Sequence, residues 1–171
     1  GVNRLDSSGL NIFNSANSGL ARDEIADITS HFEAGLWYEW FGFGSGGGEE
    51  LGLFDGMTWD SYSPLGRLPG RMAVEFVDPD PDVDNDEHWS KWICTLTDGV
   101  FVTQTTLPGL FTHYNVVTSD ILSDVVYCVV IDEDHKKWFG TNAGVSIFDE
   151  SNPVDPWSEI TMLDGLPSNS V

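Results

Sequence analysis

Residues 138–149 read Trp-Phe-Gly-Thr-Asn-Ala-Gly-Val-Ser-Ile-Phe-Asp, and the features of this stretch recur upstream in the chain. The stretch follows an apolar run, Val125–Ile131, and a polar connection, Asp132–Lys137, and an aromatic turn at Trp157–Ile160 comes after it. Short runs rich in β-branched and aromatic residues, bounded by acidic residues and glycine, are typical of β-strands joined by tight turns. Residues 125–162 therefore predict four short antiparallel strands. The apolar run Val125–Ile131 is expected to be buried on both faces, and the last strand, Trp157–Met162, is expected to be more exposed.

The same signals repeat along the chain. The Gly-Val element at Gly144-Val145 has counterparts at Gly1-Val2, Glu50-Leu51 and Gly99-Val100, so successive copies begin 49, 49 and 45 residues apart. An anchor tryptophan precedes the element at Trp40, Trp92 and Trp138. An aromatic turn follows each copy, at Leu10/Phe13, Trp59/Tyr62, Phe111/Tyr114 and Trp157/Ile160. A period of about 40–50 residues with one aromatic anchor per copy is typical of a β-propeller. We therefore predict an all-β fold of β-propeller blades, each with four antiparallel strands.

The repeat divides the chain into about three and a half blades. We expect a partial blade in residues 1–24, complete blades in residues 25–71 and 72–124, and a blade plus the start of the next in residues 125–171. Ile25, Ile28 and Phe32 also show helical spacing, so a helix is the alternative to a strand there. Gly1 already lies inside a repeat, which predicts a processed start or a longer parent chain.

The first and last blades of this array each lack a neighbour on one side, which predicts a partner. A blade buries both of its faces only with a neighbour on each side, and equivalent tryptophans are expected to fill the seams. We therefore expect two open flanks, covered by another propeller segment or by further copies of the same chain.

Composition excludes several classes of partner. The 171 residues are 40% hydrophobic and 12% aromatic, which is typical of a globular chain. Seven basic residues stand against 28 acidic ones, a net charge of −21. Such a surface repels nucleic acids and anionic membranes. The sequence shows no signal peptide and no apolar run long enough to span a bilayer.

Residues 138–149, together with Asp164–Val171, resemble the two-component regulator propeller repeat. Its W-x-G-T, G-[VL]-x-x-[FL]-D and G-L-P-x-N-x-V elements all occur here, whereas Trp92–Thr95 lacks the glycine and Val102-Thr103 replaces the Phe-Asp pair. The resemblance implies a seven-bladed propeller of an extracellular or periplasmic protein. In that family the repeats serve as ligand-sensing or dimerising modules of hybrid histidine kinases.

An acidic insertion interrupts the third copy at residues 78–87. Alternating carboxylates can converge on a hard cation such as calcium, which prefers oxygen ligands. The predicted ligands are Asp78, Asp80, Asp82, Asp84, Asp86 and Glu87. The turn glycine and the distant glutamate of a calcium loop are missing, so a solvated acidic loop is the alternative.

Calcium at this insertion predicts a thermal signature. If the ion stabilises the loop, a chelator should lower the melting temperature sharply, because a ligand that binds only the folded state stabilises it by mass action. Circular dichroism with calcium, with chelator and with magnesium as the control measures this. An unchanged melt would favour the solvated loop.

Three aromatic residues fall outside the repeat register and are candidates for binding a partner or a glycan: Trp37, Tyr38 and Trp89. The chain contains no P-loop, no G-x-S-x-G elbow and no paired metal-binding histidines. Cys94 and Cys128 are interpreted as free thiols that pack as small hydrophobes, with a bridge between neighbouring blades or a reactive role as the alternatives.

These observations favour a non-catalytic binding or assembly module of a secreted or periplasmic protein. The alternatives are a calcium-stabilised structural subunit of an extracellular assembly, and a propeller lyase or glycosidase. Fold alone does not distinguish these functions.

Overall fold

The computed structural model describes residues 1–7, 9–33, 35–43, 51–62, 69–77, 88–103 and 111–171. In these ranges the chain is built from strands and one short 3₁₀ turn, Met162–Asp164. The strands are β1 (Val2–Asp6), β2 (Gly9–Phe13), β3 (Ile25–Glu33), β4 (Leu36–Phe43), β5 (Leu51–Phe54), β6 (Trp59–Tyr62), β7 (Pro69–Val77), β8 (His88–Thr95), β9 (Val100–Thr103), β10 (Thr112–Tyr114), β11 (Val126–Ile131), β12 (Lys137–Thr141), β13 (Val145–Phe148) and β14 (Trp157–Ile160).

The strands form one two-stranded sheet and three four-stranded sheets. The sheets are β1–β2, β3–β6, β7–β10 and β11–β14, and in each one the strands follow chain order. This confirms the predicted fold class of antiparallel four-stranded blades. The chain divides into two compact units, Gly1–Pro69 and Gly70–Val171, each holding two of the sheets.

Strand register makes the blades directly comparable. The anchor residues Trp40, Trp92 and Trp138 lie opposite Leu53, Val102 and Ile147, respectively. Because side chains alternate between the two faces of a sheet, these pairs mark one face of every blade, called the forward face here. The opposite face, called the rear face, carries the residue that follows each anchor.

In the second unit, the forward face of β7–β10 packs against the rear face of β11–β14. Trp92 lies 5.8 Å from Phe139 and 5.6 Å from Phe148, measured between ring centroids. Tyr114 lies 5.6 Å from Trp157. One core cluster joins both faces and also includes Cys94, Val100, Val102, Val126 and Val129.

The first unit has an equivalent seam. Phe13 lies opposite Val2, as Tyr114 lies opposite Val100. Its ring centroid is 6.1 Å from Phe54 and 5.6 Å from Trp59. The two seams therefore use the same positions of the repeat, which explains why the aromatic turns recur.

The segments that precede β3 and β11, the first strands of their blades, are held by equivalent side-chain contacts. The Ser15 N–H donates to the Asp23 carboxylate at 2.7 Å, and the Val116 N–H donates to the Asp124 carboxylate at 2.9 Å. Each carboxylate binds a backbone N–H group eight positions earlier in the chain, which holds the segment just before the next blade.

Two details of the sequence-based interpretation are wrong, and one is confirmed. β11 was expected to be buried on both faces, but Val130 is exposed because no described sheet covers the forward face there, and Tyr127, at a bulge in the strand, is exposed as well. Met162 was expected in the last strand, but it begins the 3₁₀ turn, where Thr161 caps the first N–H groups. Ile25, Ile28 and Phe32 lie in the strand β3, as predicted, and not in the alternative helix.

Within the described residues, no helix is long and apolar enough to cross a membrane.

Candidate binding surfaces

The rear face of β1–β2 exposes an apolar surface, called the rear patch here: Leu5, Leu10 and Ile12. Leu5 is 79% exposed and Leu10 is 62% exposed, and the two lie opposite each other. The same pair of positions is filled by Phe54 and Trp59 in the next blade and by Phe148 and Trp157 in the last blade. In those two blades the pair packs in a seam. The rear patch is therefore a seam-forming face with no sheet from the described residues against it.

The forward face of β11–β14 is the complementary surface, called the forward patch here: Val130, Trp138, Val145, Ile147 and Ile160. Ile147 is buried and Val130 is exposed, while the other three are half-buried. The Trp138 Nε1–H donates to the Asp132 carboxylate at 2.6 Å. That hydrogen bond, with smaller contributions from the backbone N–H groups of Lys136 and Asp134, holds the pKa of Asp132 below its usual range.

The β3–β4 hairpin carries a third surface. β4 pairs with β3 as far as Leu36, whereas β5 pairs with β4 only from Glu39 onward, so the end of the hairpin extends beyond the sheet. Phe32 and Trp37 lie opposite each other at this end, with ring centroids 5.5 Å apart. With Ile28, which is on the same face, they form what is called here the inner rear surface.

The predicted binding residues separate in the structure. Trp37 is 58% exposed and belongs to the inner rear surface. Tyr38 lies on the opposite face of the hairpin, half-buried and stacked at 5.3 Å on the buried His31. Trp89 lies in β8, and its side chain falls outside the described residues. Sequence reasoning missed Ile28 and Phe32 as surface residues, because their spacing pointed to a core-facing helix or strand.

The predicted calcium ligands Asp78, Asp80, Asp82, Asp84, Asp86 and Glu87 lie outside the described residues, and calcium binding stays a prediction. In the part of the chain that the structure describes, no three His, Cys, Asp or Glu side chains group as a metal site. Cys94 is buried and Cys128 is half-buried, and no disulfide joins them.

Charged groups lie inside the seams at one position of the repeat, immediately before the anchor tryptophan. Lys137 is fully buried, donates to the Glu150 carboxylate at 2.9 Å and lies 5.3 Å from the centre of the Trp92 ring. Glu39 takes this position in the first unit. Burial raises the pKa of its carboxyl group, and the positive charge of Arg4 opposes that rise. The rear face of a complete blade therefore presents a charged group, as well as apolar side chains, to the sheet that packs against it.

Comparison with known proteins supports the fold. No protein-family model matches this chain. No curated protein matches it either. Among solved structures, it is similar to the extracellular domain of the putative hybrid two component system BT3049 from B. thetaiotaomicron, with a TM-score of 0.66 and 18% sequence identity. The alignment covers 99% of this chain and 21% of that structure, so the chain spans about a fifth of that neighbour.

Proposed function

We propose that this chain is a non-catalytic binding and assembly module of a secreted or periplasmic protein, and that its partner is another propeller-type sheet. The observation that supports this is the rear patch, where Leu5 and Leu10 occupy a seam position and are exposed to solvent. The extracellular setting is supported by the structural neighbour, which is an extracellular domain, and by the sequence motifs.

The internal seams indicate what fits the rear patch. In the second unit, a rear face with Phe148 and Trp157 is covered by a forward face with Trp92 and Tyr114. The forward patch presents Trp138, Ile147 and Ile160 at the corresponding positions. A second copy of the chain can therefore offer its forward patch to the rear patch. Such an interface joins two different surfaces and is heterologous.

Hydrophobic burial supplies the driving force. Fully burying one leucine side chain is worth about 1.5–3 kcal/mol, and none of the three rear-patch side chains is charged. An apolar patch on a chain of net charge −21 is the kind of surface that marks a protein interaction site.

The rear patch predicts that the purified chain self-associates and that Leu10→Asp weakens this association. A carboxylate buried without a partner should cost about 2–3 kcal/mol, or roughly a hundredfold in Kd. Sedimentation velocity over a concentration series measures the change. Leu163→Asp is the matched control, because Leu163 is almost fully exposed and lies outside both patches.

Two results would contradict the proposal. One is a wild-type chain that stays monomeric and stably folded at the highest concentration tested. The other is equal association of the Leu10→Asp and wild-type chains.

A further inference from the structure

A tight turn at the end of β10 exposes two valine side chains to solvent. Val117 is 86% exposed and Val116 is 50% exposed. The turn is closed by Asn115, whose side-chain oxygen accepts the N–H groups of Val117 and Thr118 at 2.9 and 3.0 Å. Glycine, proline, asparagine, aspartate and serine are the residues that dominate turns. The turn itself therefore does not call for valine.

The equivalent turn of the first unit shows that the fold does not require valine either. The Asn14 side-chain oxygen accepts the Ala16 N–H at 2.9 Å, which is the same bond at the same place. Ser15 and Ala16 occupy the positions of Val116 and Val117, since the Ser15 N–H and the Val116 N–H both donate to a carboxylate eight positions further on. Binding therefore explains the two valines better than folding does.

The β8–β9 turn, at the same end of the sheet, adds a third exposed apolar side chain. Leu96 is 45% exposed. Its turn is fixed to the β10–β11 connection, because the Gly99 N–H donates to the Asp124 carbonyl oxygen at 2.9 Å. Leu96, Val116 and Val117 are together called the turn surface here.

Carboxylates flank the turn surface on both of the segments that form it. Asp98 belongs to the β8–β9 turn, whereas Asp120 and Asp124 belong to the β10–β11 connection, where Asp120 is exposed. Residues 92–135 contain no lysine or arginine. An apolar centre with a negative rim is complementary to an apolar surface that carries positive charge.

We propose that the turn surface docks a basic, apolar segment of another protein. The inference goes beyond the function proposed above, whose partner is a propeller-type sheet. Apolar side chains of the segment would cover Leu96, Val116 and Val117. Its lysine or arginine side chains would lie at Asp98 and Asp120. Because hydrogen bonds hold both turns in place before binding, association costs less entropy than it would for a mobile loop.

Two other occupants suit the turn surface less well. A second copy of the chain carries the same net charge of −21, so like charges oppose its approach to an acidic rim. Segments that lie on a membrane surface combine lysine and arginine with tryptophan, phenylalanine or leucine. The turn surface instead combines carboxylates with two valines and one leucine, which favours a basic protein segment.

Short synthetic peptides of equal length can test the site against the full chain. The first peptide combines leucine with lysine, the second replaces its lysines by glutamate, and the third replaces its leucines by serine. Titration calorimetry, at a concentration where the chain is monomeric, gives each Kd. We expect tight binding of the leucine–lysine peptide alone, with a Kd that rises with salt because salt screens charge pairs. Hydrogen exchange should slow in residues 95–99 and 115–120.

A double variant, Val116→Ser with Val117→Ala, isolates the apolar part of the site. These are the residues of the equivalent turn in the first unit, so the turn should stay closed. We expect the Kd of the leucine–lysine peptide to rise about tenfold, because both valines lose buried apolar area. Val154→Ala is the control, since Val154 is 93% exposed and lies between β13 and β14, at the opposite end of its sheet.

Asp120→Asn isolates the charged part of the site. We expect the Kd of the same peptide to rise about threefold, as for an exposed ion pair, and its salt dependence to weaken. Asp155→Asn is the matched control, because Asp155 is also exposed and lies in the segment between β13 and β14.

The outcomes separate this site from the rear patch. A Leu10→Asp chain should bind the peptide normally, so loss of self-association in that chain bears only on the function proposed above. No binding of the leucine–lysine peptide, or equal binding by the wild-type chain and the valine double variant, would overturn the inference. Equal binding of the serine–lysine peptide would also overturn it, because charge alone would then account for the affinity. So would a double variant that loses self-association or binding to phosphatidylcholine vesicles, since the occupant would then be a second copy or a membrane.

Discussion

Replacing Trp92 with alanine is expected to lower the free energy of unfolding of the second unit by about 3–5 kcal/mol. Trp92 is 1% exposed, and its ring contacts Phe139, Phe148 and Tyr114 at centroid distances of 5.8, 5.6 and 6.2 Å. Truncation removes this burial and leaves a cavity between two sheets, which close-packed surroundings fill only in part. Lys137 also loses the ring beneath its ammonium group.

Trp37→Ala is the matched control for this experiment. The same atoms are deleted, but Trp37 is more than half exposed and contacts mainly Phe32. We expect a loss within about 1 kcal/mol, as for other surface substitutions. Urea unfolding followed by far-UV circular dichroism gives both values. Similar losses for the two variants would contradict the assignment of Trp92 to a seam.

The contrast between these tryptophans shows which part of the fold could be predicted from sequence. Trp92 recurs at the repeat period and Trp37 does not, and the seam position of the former is confirmed by its contacts. The period also aligned Leu10 with Trp59 and Trp157, as the strand register now does. Periodicity identifies equivalent positions because each blade repeats the same packing problem.

Exposure at those positions could not be predicted. Leu10 and Trp157 are equivalent in register, yet one is open to solvent and the other is buried. Burial depends on whether a second sheet lies against the face, and a local pattern of residues carries no information on that. The same limitation explains why β11 was expected to be buried on both faces.

The β3–β4 hairpin was hard to interpret for a different reason. Ile28 and Phe32 are four residues apart, a spacing that places side chains on one face both in a helix and in a strand. Trp37 and Tyr38 are adjacent, so a strand must place them on opposite faces. The two residues therefore do not form one surface, since Trp37 is exposed and Tyr38 is half-buried against His31, and binding at either position stays a prediction.

The glycine of the Gly-Val element has a steric role. In the sequence, the only sign of this role is that the glycine recurs. A Cβ atom on Gly99 would lie 2.1 Å from the Tyr114 carbonyl oxygen, and one on Gly144 would lie 2.7 Å from the Ile160 carbonyl oxygen. Both glycines also have positive φ angles. The carbonyl group of the fourth strand thus occupies the space of a side chain at the start of the third strand.

Gly99→Ala is therefore expected to destabilise the second unit by about 3 kcal/mol. A positive φ costs an alanine about 1–2 kcal/mol, and relieving the overlap with backbone atoms of Tyr114 and Asn115 costs about 1–3 kcal/mol more. Gly56→Ala separates the two effects, because Gly56 has φ +91° and nothing within 4 Å of an added Cβ. In urea unfolding, the Gly56 variant should lose only the cost of the positive φ angle, about 1–2 kcal/mol. Equal losses would show that backbone conformation alone selects glycine here, whereas a larger loss at Gly99 would show that the third and fourth strands must meet this closely for the blade to close.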